Sequence, residues 1–263
     1  MADPALPRSP FAGSIDFTVD RQLQSISPER LARVLAAHEL YVKSEQRSGQ
    51  RANLDSTDLA GISFAGMKLW HIRLQRAELA NADFAGADLR RAILIGATIQ
   101  RGRLAAADLT RGRLNGVNLT DADCEGVCMV EADIEFAIMA NSDFRNANFR
   151  DADMSGVILD SADLSGADLR RANLRGASFV DTRLHGADLR DARMGGAILR
   201  HTSFNGADLR GAYLRVAKFY RTDLSGADLR DVEGLTTEQI IHTIRDAHTR
   251  LPLDLITEPE DGE

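Results

Sequence analysis

Aromatic residues are scarce in this chain: they make up 5% of its 263 residues, although hydrophobic residues reach 44%. An ordinary globular core draws much of its buried area from aromatic rings. The shortage argues for a narrow interior lined by small and medium side chains. There are only two cysteines, Cys124 and Cys128, too few for a disulfide framework. No apolar run approaches the roughly 18 residues that a transmembrane helix needs. Met1–Pro10 carries three prolines and no apolar stretch of the kind a secretory signal requires, so a cytoplasmic location is expected. The net charge of −7 speaks against direct nucleic-acid binding by the chain as a whole.

What the chain does have is a period. From Leu54 to Leu229 every fifth residue is Leu, Phe, Ile, Met or Cys, over 36 consecutive positions. Two residues before all of these but Leu69, which follows Met67, stands a small or β-branched residue, most often alanine, as at Ala82, Ala87, Ala92 and Ala97. A period of five fits neither an α-helix nor a plain strand. An in–out–in–out alternation followed by an outward turn residue does fit, and a right-angled turn in each five closes a coil in four. The sequence itself favours that 20-residue coil. Ala-Asp-Leu-Arg recurs from Ala87, Ala167, Ala187, Ala207 and Ala227. Glycine favours alternate corners, at Gly166, Gly186, Gly206 and Gly226 and at Gly156, Gly176 and Gly196, where a positive φ is expected.

Residues 52–230 resemble the pentapeptide-repeat proteins, whose motif is roughly A-(D/N)-L-x-x. The resemblance implies an all-β solenoid, a right-handed quadrilateral β-helix of about nine coils. At about 4.8 Å per rung the rod is roughly 43 Å long. A solenoid needs its ends covered, and short α-helical caps are predicted at both. Ser27-Pro28-Glu29 opens a helix running to about Lys43, with Leu31, Val34, Leu35, Leu40 and Tyr41 available to cover the first coil. Thr236 or Thr237 opens a second, with Ile240, Ile241, Ile244 and Leu251 on one stripe until Pro252. The expected organisation is a weakly ordered arm (1–26), a capping helix (27–50), the β-helix (51–231), a second capping helix (232–256) and an acidic tail (257–263). The caps disfavour end-on oligomers.

The four sides of the rod take their names from their centres: side one from Leu54, side two from Leu59, side three from Phe64 and side four from Leu69. Side four carries an arginine column, Arg150, Arg170, Arg190, Arg210 and Arg230, beside an aspartate column, Asp168, Asp188, Asp208 and Asp228. Its plain reading is a solvated charge ladder that keeps sheet edges from aggregating; the other is a stripe for phosphate or carboxylate groups. Side three is the most acidic, with Asp83, Asp123, Glu125, Asp143, Asp163 and Asp223 against Arg103, Arg145 and Arg183. Some pentapeptide-repeat proteins mimic duplex DNA and protect gyrase, so this side bears on that alternative. Duplex DNA carries about one charge per 1.7 Å, whereas three net charges here spread over roughly 43 Å. The chain also lacks the loop insertions that the resemblance implies for some gyrase-protecting members.

The corner between sides one and two breaks the polar pattern. Outward positions hold Ile138, Ile158 and Ile198 in one column, with Phe136, Val180, Val216 and Tyr220 nearby. A contiguous exposed apolar patch marks a partner site. Either residues 11–19, with Phe11, Ile15, Phe17 and Val19, fold back over it, or another protein or a second copy of the chain docks there.

Catalytic groupings are weak by comparison. Cys124 falls on an inward slot and Cys128 on an outward one, so they share no metal sphere. Thr182, Thr202 and Thr222 form an inward ladder suited to satisfying turn carbonyls. His71, His185 and His201 point outward without a clustered nucleophile. No cofactor, metal or catalytic residue is predicted. The expected function is a non-enzymatic protein-binding scaffold, with a possible homodimer and no nucleic-acid or membrane contact. The alternative is a DNA mimic acting on a type II topoisomerase.

Overall fold

The computed structural model describes residues 23–256. Parallel bridges join residues 20 apart along all four sides, for example Asn53 to Arg73, Asp58 to Glu78, Ser63 to Asp83 and Lys68 to Asp88. Each side contributes so short an extended run that, among the described residues, only Ile198–Arg200 (β1) and Lys218–Tyr220 (β2) form a continuous strand pair.

One pentapeptide accounts for every backbone N–H it carries. The N–H groups of Leu89 and Arg91 donate forward to the carbonyls of Asp108 and Thr110, at 2.7 and 2.9 Å; that of Asp88 donates back to Met67 at 2.9 Å. The Ala92 N–H closes the turn onto the Leu89 carbonyl at 2.9 Å. The fifth, on Arg90, donates to the Asp88 carboxylate at 3.3 Å. That last bond explains why Asp or Asn recurs just before the centre residue: its oxygen caps the turn that follows, as an Asx turn does. The same cap recurs from Asn53 to Asp228.

The turn residue two places after each centre has φ > 0, as a type II turn demands at its third position. Glycine fills many of these corners, but so do Arg101, Asp121, Phe136 and Val216, with φ near +55°. Inside, the centre residues, with Phe219 only partly so, and the alanines before them are buried, and Phe64 stacks on Phe84 with centroids 5.0 Å apart. The buried hydroxyls find carbonyls one coil back: Thr182 on Leu159 at 2.8 Å, Thr202 on Phe179 at 2.7 Å, and Thr222 on Leu199.

At the N-terminal end Gln24 pairs with Thr57, so the ladder takes in a residue assigned by sequence to a loose arm. The rest of that arm, the proposed cover at 11–19 and the tail at 257–263 lie outside the described residues. The helix α1 spans Pro28–Lys43, its N-cap Ser27 accepting from the Arg30 N–H at 3.2 Å. Leu31, Val34 and Leu35 pack inward, while Leu40 faces solvent. His38 is buried instead, its Nδ1 accepting the Ala52 N–H at 3.0 Å, and burial pushes its pKa down.

The C-terminal segment departs from the single capping helix predicted to run until Pro252. α2 covers only Thr237–Ile240, after a capping box formed by Thr236 and Gln239. Beyond it the backbone continues the ladder: Ile244 bonds to Thr222 and Leu224, and Arg250 to Ala227 and Leu229, before a short α3 at Leu253–Ile256. The physical reason lies in the open rung. A continuous helix would leave those edge groups unpaired, whereas this path satisfies them, and the Gln239 Nε2 donates to the carbonyls of Leu214 and Ala217 at 3.0 and 2.9 Å.

Candidate protein-interaction face

Side two carries the anomalous residues. In its leading column Ile138 pairs with Ile158, Ile158 with Ser178, and Ser178 with Ile198. Ser178 interrupts the isoleucines, but it is buried, its hydroxyl donating to Asp160 Oδ1 at 2.5 Å; that oxygen also accepts the Val180 N–H at 3.1 Å. The carboxylate is thereby turned into the surface.

Phe136 and Val216 sit at the corner where the chain enters this side, 69% and 70% exposed. The Phe136 ring lies over Gly156, where a Cβ would come within 2.7 Å of it. Val180 and Tyr220 stand at the opposite edge. Tyr220 is flanked by Arg200 and Arg221, with guanidinium carbons 5.8 and 5.5 Å from the ring centre, a cation–π arrangement. The seven predicted residues thus spread across the full width of side two rather than along one corner.

Sequence reasoning did not pick out the charged residues that end this side. Asp58 and Glu78 lie at one end, each capping its own turn; Arg200, Lys218 and Arg221 lie at the other. The signal was present, but only when two outward columns are read together.

The charge ladder on side four is internally paired. Arg170, Arg190, Arg210 and Arg230 each grip the aspartate two residues earlier, Asp168, Asp188, Asp208 and Asp228, through two nitrogens at 2.6–2.9 Å. Longer contacts of 3.6–4.0 Å link Arg170, Arg190 and Arg210 to the aspartate of the next coil. Arg150 differs, because its slot partner is Asn148; its Nε lies 3.5 Å from Asp151. The guanidinium hydrogen bonds hold Asp168, Asp208 and Asp228 below the usual carboxylate range.

Side three is also paired. Arg103 reaches Asp83 at 3.2 Å and Asp123 at 4.0 Å; Arg145 bridges Asp143 at 2.6 Å and Glu125 at 3.3 Å; Arg183 lies 4.0 Å from Asp163. Asp223 accepts from the Ser225 hydroxyl at 2.6 Å. Cys124 is buried and its thiol is pushed well up by that burial, while Cys128 lies 3.3 Å from the Thr110 hydroxyl. No helix among the described residues is long and apolar enough to cross a membrane.

A filled rod of stacked coils with four flat outer sides is a β-solenoid. The family model for pentapeptide repeats matches in eight copies between residues 57 and 231, and the chain belongs to the pentapeptide-repeat family. It is similar to several solved structures. One is HetL, a pentapeptide repeat protein involved in heterocyst differentiation regulation from the cyanobacterium Nostoc sp. strain PCC 7120. The two share 26% identity over 86% of this chain and 94% of that one, with a TM-score of 0.44. Another is QnrB1, a plasmid-mediated fluoroquinolone resistance protein, at 19% identity over 76% and 94% with a TM-score of 0.37. A third is Rfr23 from the cyanobacterium Cyanothece 51142, at 25% identity over 45% and 63% with a TM-score of 0.25. Comparison with curated proteins gave no match.

Proposed function

We propose that this chain is a non-enzymatic protein-binding scaffold, a right-handed rod of about nine coils that presents side two to a protein partner. The observation that carries the reading is the apolar band from Phe136 and Ile138 through Ile158 to Ile198, on a rod whose other outward positions are mostly charged or polar. Apolar surface gathered in one place on a rigid support favours docking of a macromolecule. The charged sides offer less. Their guanidiniums and carboxylates already satisfy each other, so an incoming phosphate or basic surface would have to displace existing pairs. That pairing also weakens the DNA-mimic alternative on side three.

The test is affinity co-purification from the source cell's lysate with the wild-type chain and a variant carrying Ile138→Asp, Ile158→Asp and Ile198→Asp. Loss of a retained protein in the variant, with the circular-dichroism spectrum unchanged, is the expected result. Identical profiles would overturn the reading. A gyrase supercoiling assay runs beside it, with no effect of the added chain expected; protection or inhibition would move the function to side three.

A further inference from the structure

Side two gathers the charges of its leading column at the two ends of the rod; the one mid-rod charge, Asp160 in the trailing column, is held by the Ser178 hydroxyl at 2.5 Å and the Val180 N–H at 3.1 Å. Asp58 and Glu78 stand at the N-terminal end, Arg200 and Lys218 at the C-terminal end, and none of the four forms an ion pair among the described residues. The Nε of Arg200 is buried without a hydrogen-bond partner. Between the ends, Thr98, Asn118, Ile138, Ile158, Ser178 and Ile198 continue the leading column without a charge. On sides three and four, by contrast, opposite charges sit close enough to pair.

An acidic–neutral–basic series is complementary to its own reversal. We propose that side two docks a second copy of this chain, the two rods antiparallel about a two-fold axis at the level of Ile138. This rests on the reading of side two as the docking face and names its occupant. Ile138 is the midpoint of the column: four coils separate it from Asp58 and four from Lys218. A two-fold axis lying in the contact plane, across the rods, sets each rung against its mirror rung while keeping columns opposite the same columns. Asp58 then meets Lys218 of the second copy, and Ile138 meets its own counterpart.

The trailing column agrees independently. It sets Ala60 and Ala80 opposite Tyr220 and Arg200, small against large, and brings Glu78 beside Arg200. A parallel pair, about an axis along the rods, would instead set each rung against itself and gather Asp58 and Glu78 with their own counterparts at one end and Arg200 and Lys218 with theirs at the other, and like charges so gathered oppose association.

The size of the surface sets the strength. Roughly 40 Å of rod by about 15 Å of side, from rung spacing and strand rise, gives about 600 Å² per copy. That lies at the lower edge of specific interfaces, so the pair exchanges at micromolar concentrations.

Sedimentation velocity of the full chain, from low micromolar to sub-millimolar concentration, tests this. The mass should climb from 28.7 kDa toward twice that value. Ile138→Asp should weaken association by about tenfold or more. Asp58→Lys and Lys218→Glu should each weaken it, and the double variant should recover it, because only in the antiparallel pair do the two exchanged charges face each other with opposite sign. Circular dichroism and thermal unfolding show that each variant keeps the rod. A chain that stays monomeric throughout overturns the proposal, as does a dimer indifferent to Ile138→Asp. Singles that weaken association and a double that fails to restore it overturn the antiparallel arrangement. If the chain is monomeric yet loses a lysate partner in the triple isoleucine variant, the second copy falls and side two stands as the docking face. If both experiments fail, both readings fall.

Discussion

Asp88 holds Arg90 by two kinds of bond, and substitution separates them. One carboxylate oxygen accepts the Arg90 backbone N–H at 3.3 Å, and the pair of oxygens accepts the guanidinium at 2.8 and 2.6 Å. Asparagine keeps an oxygen for the backbone N–H and loses the charge pair; alanine loses both. The arginine is 55% exposed and the aspartate 24%, so solvent screens the pair and its worth is discounted into the surface range. That range is about 0.2–1 kcal/mol. The turn cap is the counterpart of a helix N-cap, a side-chain oxygen on an otherwise unpaired N–H, whose loss costs about 1 kcal/mol. Asp88→Asn should therefore cost about 0.5 kcal/mol and Asp88→Ala about 1.5 kcal/mol, read from urea midpoints at constant slope. In about 1 M salt, where the screening length falls to about 3 Å, the asparagine penalty should nearly vanish and most of the alanine penalty should remain. Equal costs for the two variants would refute the reasoning. They would place the energy in the ion pair and leave the recurrence of aspartate at this slot without its turn-capping cause.

Two further outcomes follow from the same bonds. Asp88, Asp168, Asp208 and Asp228 are held below the ordinary value of 3.8, chiefly by hydrogen bonds from the guanidinium two residues on. With the folded pKa depressed, their stabilisation is present above about pH 4 and lost as pH falls through the lower folded values, so the urea midpoint should hold from pH 7 to 5 and drop below 4. Thr202→Val keeps the buried shape but removes the hydroxyl that donates to the Phe179 carbonyl at 2.7 Å. Because that carbonyl retains its turn bond from Thr182, the expected loss is about 1 kcal/mol, and a loss above about 3 kcal/mol would show that the ladder acts as a coupled unit.

The solenoid was legible because a five-residue period has few geometric solutions, and the 20-residue recurrence of Ala-Asp-Leu-Arg left four sides per coil. The buried threonine ladder was legible for the same reason, since slot parity alone sends Thr182, Thr202 and Thr222 inward. The C-terminal segment was not. The spacing of Ile240, Ile241, Ile244 and Leu251 suits a helix, and only the unpaired edge of the last coil explains why Ile244 and Arg250 extend the ladder instead. The role of Asp88 and its equivalents was hidden too, because an aspartate capping a turn and an aspartate decorating a surface look alike in sequence. On side two, Phe136, Ile138, Ile158, Val180, Ile198, Val216 and Tyr220 were found as misplaced apolar residues. Their spread from one edge of the side to the other became clear only once the columns were set beside each other.

The corner residues of side two bear most directly on why this rod has a distinguished surface. Phe136 and Val216 have φ of +56° and +54° in a column where positions 96, 116, 156, 176 and 196 are glycine. A left-handed backbone costs an L-residue roughly 1–2 kcal/mol, and a β-branched side chain such as valine tolerates it poorly. Arginine, aspartate and asparagine also occupy left-handed corners, but they return a solvated polar group to the surface. Phe136 and Val216 combine the same backbone cost with large exposed apolar area, and in the isolated rod burial recovers little of it. Glycine would serve the turn as well, as it does on the coils between them. Local strain of this kind persists where another requirement holds it in place. On the proposed docking of side two, burial against the partner supplies that requirement, because it removes Phe136 and Val216 from water while leaving the turn geometry unchanged.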